Sequence, residues 1–177
     1  MRSLLCLQYL NEVRKLPGDV IELGVAYGTT SLTLALWMEE NTPLKTLFAC
    51  DTFTGLPTAE GDLQAGECNY GSAFQRTLHQ LPINNVKVVK GLIEETLPTQ
   101  LADKRFCFAW LDMDLYSPTS FAAKWLRERM TPGGIIGFHD YGFQRCPGIA
   151  KVVDSEIDTV DFQWIGVDHN CAFLRRR

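Results

Sequence analysis

The chain has 177 residues, enough for one domain with a substantial core, and we predict a single domain over residues 1–177. Its residues are 46% hydrophobic and 21% charged, as in ordinary globular proteins, and a net charge of −4 argues against a general nucleic-acid-binding surface. Apolar runs fall short of the roughly 18 residues that a membrane-spanning helix needs. We therefore expect neither nucleic acid nor a membrane as partner. The six cysteines are scattered without a C-x-x-C pair, which indicates free thiols and a cytoplasmic setting.

Helix-like and strand-like patterns alternate along the chain. The spacing of apolar residues predicts a helix within residues 1–17. Predicted strands cover 19–24, 45–51, 85–91, 105–114, 133–140, 161–167 and 171–176. Predicted helices cover 29–40, 71–81, 117–130 and 146–157, with Ser117 as the N-cap of the third and Pro118 at its first position. Such alternation is typical of an α/β protein with a doubly wound, mostly parallel sheet, in which ligands bind beyond the carboxyl ends of the strands.

The first predicted strand runs into a glycine turn and the start of a helix. The stretch VIELGVAYGTTS holds Glu22, Gly24 and Gly28 in the pattern E-x-G-x-x-x-G. This differs from the G-x-G-x-x-G of nicotinamide-dependent enzymes. Glycines let the backbone approach a ligand closely, and a helix N-terminus offers unpaired N–H donors. A purely structural turn would explain the glycines too, but together with the motifs below they favour a nucleotide-like cofactor.

Acidic side chains follow the second and third predicted strands. Asp51 ends the second strand, where a carboxylate can accept hydrogen bonds from both hydroxyls of a ribose or can cap the next turn. Glu94 and Glu95 follow the third strand, where they suit either a contact with a base edge or the start of a helix. The sequence leaves both pairs of alternatives open. Residues 52–70, between these strands, form a long aperiodic stretch that we predict to be a functional loop.

Two further acids close the fourth predicted strand. Asp112 and Asp114 lie two residues apart in WLDMDLYSP, and side chains at this spacing point to the same side of an extended chain. Like charges this close are unfavourable unless one is protonated or a cation lies between them. His139 and Asp140 close the fifth strand. Because parallel strands end at the same edge of a sheet, we expect the three carboxylates and the imidazole to converge there.

A divalent metal would resolve the charge problem at this edge. Mg²⁺ prefers oxygen ligands, and a bound ion can lower the pKa of a substrate hydroxyl so that a carboxylate removes its proton. Structural roles are the alternatives: Asp114 could cap the following helix, and His139 could donate to a backbone carbonyl. His79 and His169 do not belong to a comparable group of acidic residues, and we assign them no role.

Six segments in the same order resemble the macrocin O-methyltransferase family. They are GDVIELGVAYGTTSL, DTFTGLP, KGLIEETLP, LDMDLYSPT, TPGGIIGFHDYG and CPGIAKVVD, from about Gly18 to Asp154. Members of this family are S-adenosylmethionine- and Mg²⁺-dependent enzymes that methylate sugar hydroxyls of antibiotics and related metabolites. The resemblance implies a Rossmann-like class I methyltransferase fold with a seven-stranded sheet.

The resemblance also implies roles for single residues. Asp114 falls where the family has its general base, and Asp112 and Asp140 fall where it has metal ligands. The family usually has Asp-Asp at His139-Asp140, so His139 is either a third ligand, which favours Mn²⁺, Fe²⁺ or Zn²⁺ over Mg²⁺, or a base or substrate contact. The residues implied in cofactor binding are Glu22, Gly24, Gly28, Ser31, Asp51, Thr52 and Phe53.

The predicted function is therefore metal-assisted O-methylation, by S-adenosylmethionine, of a hydroxyl on a small molecule, a sugar or a glycosylated metabolite. Only 17 residues precede Gly18, so we expect a shortened N-terminal lid, and a neighbouring subunit of a homo-oligomer could replace it. Two alternatives remain at this stage. One is a non-catalytic relative that binds S-adenosylmethionine, and the other is a nicotinamide-dependent oxidoreductase on a similar sheet.

Overall fold

A computed structural model describes residues 1–157 and 160–177, which form seven strands and six helices. The strands are β1 (Asp19–Leu23), β2 (Leu47–Asp51), β3 (Val86–Lys90), β4 (Phe106–Leu111), β5 (Met130–Phe138), β6 (Phe162–Asp168) and β7 (Cys171–Arg176). The helices are α1 (Arg2–Val13), α2 (Thr29–Asn41), α3 (Ala73–His79), α4 (Ile93–Gln100), α5 (Tyr116–Arg127) and α6 (Pro147–Ser155).

The strands form one sheet in the order β3-β2-β1-β4-β5-β7-β6. The pairs from β3 to β5 are parallel, whereas β7 runs antiparallel to both β5 and β6. This confirms the predicted doubly wound, mostly parallel seven-stranded sheet. In the part of the chain that the structure describes, a bilayer-spanning helix is absent.

Helices cover both faces of the sheet because its central strands are apolar on both sides. All six residues of β4, the run FCFAWL, are buried. Trp110 and its neighbours on one face pack with α1 and α2, through residues such as Leu10 and Leu34. Ala109 and its neighbours on the other face pack with α4, α5 and α6. This burial on two faces, rather than alternation of polar and apolar residues, is typical of parallel strands.

The start of α5 differs from the prediction. The helix begins at Tyr116 with Leu115 as its N-cap residue, so the assignment of Ser117 as cap and Pro118 as first residue was wrong. The acceptor for the helix comes instead from the loop: the Tyr116 N–H donates to the Glu60 carboxylate, with 3.0 Å to each oxygen. Pro118 is tolerated because N–H groups in the first turn have no partner within the helix.

The ends of two strands also differ: β5 covers Met130–Phe138, so the prediction of residues 133–140 was wrong at both ends. β4 ends at Leu111, so the prediction that it continues to Asp114 was wrong. Asp114 has a φ of +63°, a left-handed conformation, and the argument from an extended i, i+2 pair therefore does not apply to it. The sequence also left the structure of residues 93–100 unassigned. They form α4 because Ile93 and Leu97, four residues apart, are buried against the sheet.

Candidate functional site

A cavity of about 260 Å³ opens at the carboxyl ends of β1, β2, β4 and β5. The turn after β1, loop 52–70 and the residues that follow β4 and β5 form its wall. Loop 52–70 contributes eight lining residues, namely Thr52, Gly55, Leu56, Pro57, Leu63, Glu67, Cys68 and Tyr70. The cavity thus lies at the edge of the sheet where a doubly wound fold is expected to bind its ligand.

Gly24 allows the turn after β1 to touch the end of β4. Its φ is +89°, and a Cβ atom there would lie 1.9 Å from the main-chain oxygen of Asp112. Gly28 has a φ of +83° and abuts the ring of Phe74, which a Cβ would approach to 2.0 Å. Gly24 lines the cavity, whereas Gly28 packs behind it. Close packing within the protein therefore explains both glycines before any ligand is considered.

Asp51 holds this turn in place. Its Oδ2 accepts hydrogen bonds from the N–H groups of Val25 (2.7 Å) and Ala26 (3.0 Å), and its Oδ1 accepts one from Phe53 (2.7 Å). The Thr52 hydroxyl lies 3.4 Å from Oδ1, but its one proton has a closer acceptor in the Gly55 carbonyl at 2.8 Å, so roughly one of about four carboxylate acceptor positions is left for a ligand hydroxyl. Asp51 and the adjacent Thr52 line the cavity, and Phe53 is buried. Asp51 therefore has the capping role that was one of its two predicted alternatives.

Glu22 and Ser31 lie deeper than the cavity wall. Both are buried, and the Ser31 hydroxyl donates to the Glu22 carboxylate. Burial raises the pKa of Glu22 to about 8, although the hydrogen bond from Ser31 acts in the opposite direction. Of the two acids after β3, Glu94 lines the cavity, while Glu95 lies outside its wall.

The acid cluster consists of Asp112, Asp114, His139 and Asp140, and all four line the cavity. His139 Nδ1 lies 2.8 Å from Asp112 Oδ1 and 2.9 Å from Asp140 Oδ2. On the other side of Asp112, Arg2 Nη1 lies 3.0 Å from Oδ2. The predicted convergence is confirmed, although the turn after β4, and not an extended strand, brings Asp114 to the cavity.

The crowding of these groups changes their pKa values. Burial raises the pKa of Asp114 to about 7, and the neighbouring Asp140 and Asp112 add to this effect. Burial lowers the pKa of His139, but the carboxylates of Asp112 and Asp140 outweigh it and raise the pKa to about 9. Burial also acts to raise the pKa of Asp140, but His139 outweighs it and the net shift is downward. The cluster thus attracts positive charge, whether as protons or as a cation.

The residues of the cluster fit a divalent metal ion. One ligand atom each from Asp112, His139 and Asp140 lies within 4.8 Å of the others. Among the described residues, the buried Nδ1 of His139 has no partner in hydrogen-bond geometry despite its two close carboxylates. This nitrogen faces Asp112 and Asp140, and not a backbone carbonyl as in the purely structural role considered for His139. Two carboxylates and an imidazole form a donor set that suits Mg²⁺ or, because of the nitrogen, Mn²⁺.

Several lining residues were not found from the sequence, notably Arg2, Cys68, Tyr70, Arg145 and Cys146. Arg2 lies in the first turn of α1 and contacts Asp112, and Cys146 lies at the start of α6 and contacts Asp114. Both contacts join residues that are far apart in the chain. None belongs to a motif with a spacing of its own, so local pattern gives no signal for them. Tyr70 stacks on Tyr27 of the glycine turn, with ring centroids 3.6 Å apart.

Known proteins share this fold. The calicheamicin methyltransferase CalS11 matches 98% of this chain and 78% of its own at 22% identity and a TM-score of 0.85. The O-methyltransferase NovP matches 99% of this chain and 79% of its own at 23% identity and a TM-score of 0.81. A more distant match is an O-methyltransferase from Bacillus cereus in complex with SAH, at 13% identity and a TM-score of 0.72 over 99% of this chain and 80% of its own.

Sequence comparison places the chain in a family. It is 27% identical over 145 residues to the 8-demethyl-8-(2,3-dimethoxy-alpha-L-rhamnosyl)-tetracenomycin-C 4'-O-methyltransferase of Streptomyces olivaceus. That match covers 73% of this chain, which spans only about half (55%) of the relative's length. The family model for macrocin-O-methyltransferase (TylF) matches residues 6–176. The chain therefore belongs to the macrocin-O-methyltransferase family.

Proposed function

We propose that this chain carries the catalytic site of an O-methyltransferase that uses S-adenosylmethionine and a divalent metal. Its acceptor is the hydroxyl of a small molecule, and a sugar or glycosylated metabolite fits best. The observation that carries the proposal is the contact between Gly24 and Asp112, because it brings the glycine turn and the acid cluster into one cavity. Family membership and a Streptomyces relative named for a sugar-linked O-methylation support it.

The turn after β1 and the end of β2 supply the cofactor side of the cavity. The backbone at Gly24 lies open to the cavity, and Asp51 keeps an acceptor position for a ribose hydroxyl. Thr52 lies beside Asp51, and Glu94 lines the adjoining wall, where a contact with a base edge is part of the proposal. S-adenosylmethionine carries an already activated methyl group, so the protein must mainly align the acceptor oxygen for in-line attack.

The acid cluster supplies the acceptor side. Asp112, His139 and Asp140 would hold the divalent ion, which when bound orients the acceptor hydroxyl and lowers its pKa. Asp114 takes the proton of that hydroxyl. When bound, S-adenosylmethionine would supply the methyl group to the acceptor oxygen, with S-adenosylhomocysteine as the leaving group. His139 is a ligand in this scheme, since its Nδ1 faces both carboxylates.

Calorimetric titration tests the cofactor assignment. The protein is titrated with S-adenosylhomocysteine, S-adenosylmethionine and NAD, each with Mg²⁺, with Mn²⁺ and with a chelator. We expect binding of the two S-adenosyl compounds and not of NAD. Binding of NAD alone would replace the proposal with the oxidoreductase alternative, and failure of both S-adenosyl compounds to bind would refute it.

Methyl transfer to rhamnosylated acceptors tests the reaction, with mass spectrometry as the readout. Asp112→Asn should reduce both the affinity for Mn²⁺, measured by electron paramagnetic resonance, and turnover. Asp103→Asn, which changes an exposed acid between α4 and β4, is the matched control and should change neither. Binding of S-adenosylmethionine without transfer to any sugar hydroxyl would favour the non-catalytic alternative.

A further inference from the structure

Two thiols flank the carboxylate of Asp114. Cys146 Sγ lies 3.9 Å from Asp114 Oδ1, and Cys68 Sγ lies 3.9 Å from Oδ2. Cys146 is only 2% exposed at the start of α6, whereas Cys68 is exposed on loop 52–70. Both cysteines line the same cavity as Asp114. The possible metal ligands Asp112, His139 and Asp140 therefore lie close to two thiol groups that could also bind a metal ion.

Cys146 joins two carboxylates in a second group of possible metal ligands. One ligand atom each from Asp114, Asp140 and Cys146 lies within 4.8 Å of the others. Asp140 and Cys146 are both buried, at 7% and 2% exposure, so the group is held by the packed protein rather than by a flexible surface. Asp140 also belongs to the first group, and a shared carboxylate is a common bridge in sites with two metals about 4 Å apart.

The chemistry of the second group differs from that of the first. Thiolate sulfur is a soft ligand that favours Zn²⁺ and similar ions, whereas Mg²⁺ prefers oxygen. Zn²⁺ is usually bound by four ligands in a tetrahedron. Asp114, Asp140 and Cys146 provide three, which leaves one position for water, and Cys68 lies beside the other oxygen of Asp114, outside this group.

We propose that Asp114, Asp140 and Cys146 form a second cation site that is specific for thiophilic divalent ions of the zinc class. On binding, the sulfur–metal bond replaces the S–H bond of Cys146 and the proton passes to the solvent. An ion in this site engages the Asp114 carboxylate, so it blocks proton removal from the acceptor. This inhibitory consequence depends on the function proposed above, but the site itself does not.

Cobalt spectroscopy tests the site directly, because Co²⁺ bound to thiolate has a sulfur-to-metal charge-transfer absorption that Co²⁺ bound to oxygen and nitrogen lacks. The full chain is first saturated with Mg²⁺ and then titrated with Co²⁺. We expect the charge-transfer band to saturate at one Co²⁺ per chain. A titration without this band would overturn the proposal.

Variants assign the ligands. Cys146→Ser should abolish the band, and it should fold because serine is a favoured N-cap residue at this position of α6. Cys68→Ser should retain both the band and the Co²⁺ affinity, because Cys68 lies outside the group, and loss of the band in this variant would overturn the proposal. The control is Cys107→Ala, which deletes a buried thiol of β4 and should leave the titration unchanged.

Asp112→Asn separates the two metal groups, since Asp112 belongs only to the first. The band should persist in this variant. Persistence of the band in Cys146→Ser would show that another thiolate binds the ion, and loss of the band in Asp112→Asn would show that the site depends on the first group; either result would overturn the proposal. If methyl transfer is detected, Zn²⁺ should inhibit the parent protein at least tenfold more strongly than Cys146→Ser. If transfer is not detected, the proposed methyltransferase function is refuted, while the spectroscopic test of the second cation site remains valid.

Discussion

The cavity has a turn side, formed by the turn after β1 and Asp51, and an acid side, formed by the acid cluster. These two sides satisfy their polar groups in opposite ways. On the turn side, Asp51 accepts three backbone N–H bonds, so its charge is stabilised by the fold itself. On the acid side, Asp112 and Asp140 lie against a histidine nitrogen that has no well-formed hydrogen bond within the described chain, and Asp114 lines the same part of the cavity. Asp114 and Asp140 also have left-handed backbone conformations, with φ of +63° and +58°.

The turn side is therefore a rigid support, whereas the acid side is under electrostatic strain. A carboxylate that accepts several backbone N–H bonds contributes to stability, whereas the ionised form of Asp114 opposes it, because burial and the neighbouring Asp140 and Asp112 raise its pKa to about 7. Functional sites are commonly less stable than the fold could make them, because groups placed for chemistry are not placed for stability. Neutralising an acid should therefore have opposite effects on the two sides of the cavity.

The largest effect should come from the acid side. Asp114→Asn removes the proposed base and should lower turnover by about 10²–10⁴-fold while S-adenosylhomocysteine binding stays intact. Because it also removes a crowded charge, the free energy of unfolding of the metal-free protein should stay constant or increase. Kinetics and urea denaturation measure the two effects. Full activity in this variant would refute the assignment of the base.

Gly24→Ala should disturb both sides together. A Cβ atom at a φ of +89° would collide with the main chain of Asp112, and we expect a loss of about 3 kcal/mol or more in the free energy of unfolding. Gly66→Ala is the matched control, since Gly66 has a φ of +84° but its Cβ would meet open space among the described residues. It should lose only about 1–2 kcal/mol. Equal losses would mean that backbone conformation, and not the contact, decides the effect.

Asp51→Asn should destabilise the turn side. An amide has a single acceptor oxygen, so the variant cannot accept all three backbone N–H bonds, and we expect a loss of about 1–3 kcal/mol in urea denaturation. Asp62→Asn, which changes an exposed acid of loop 52–70, should lie within about 0.5 kcal/mol of the parent. A stability for Asp51→Asn as high as that of Asp114→Asn would contradict the contrast between the two sides.

The smallest effect should appear where loop 52–70 meets the turn side. Tyr27→Leu removes the stack on Tyr70, and such ring pairs contribute about 0.5–1.5 kcal/mol. Hydrogen exchange of residues 66–71 should become faster, whereas Tyr27→Phe keeps the ring and should preserve the parent rates. Unchanged exchange in Tyr27→Leu would show that other contacts hold the loop.

The sequence alone determined the fold class and the main polar positions. Buried strands such as FCFAWL, separated by helical patterns, predicted the doubly wound sheet, and the polar residues that follow them predicted where a site would form. Parallel strands end at one edge, so the convergence of Asp112, His139 and Asp140 followed from topology before any distance was known. These features depend on local periodicity and connection rules, which a sequence contains directly.

Only the tertiary structure decided which groups are neighbours across the cavity. Arg2 on Asp112, Glu60 on the start of α5 and Cys146 beside Asp114 join segments that are 32 to 110 positions apart in the chain. The turn after β4, with its left-handed Asp114, replaced the extended pair predicted from spacing. Such contacts depend on how helices and loops pack against the finished sheet, and this packing leaves no periodic pattern in the sequence.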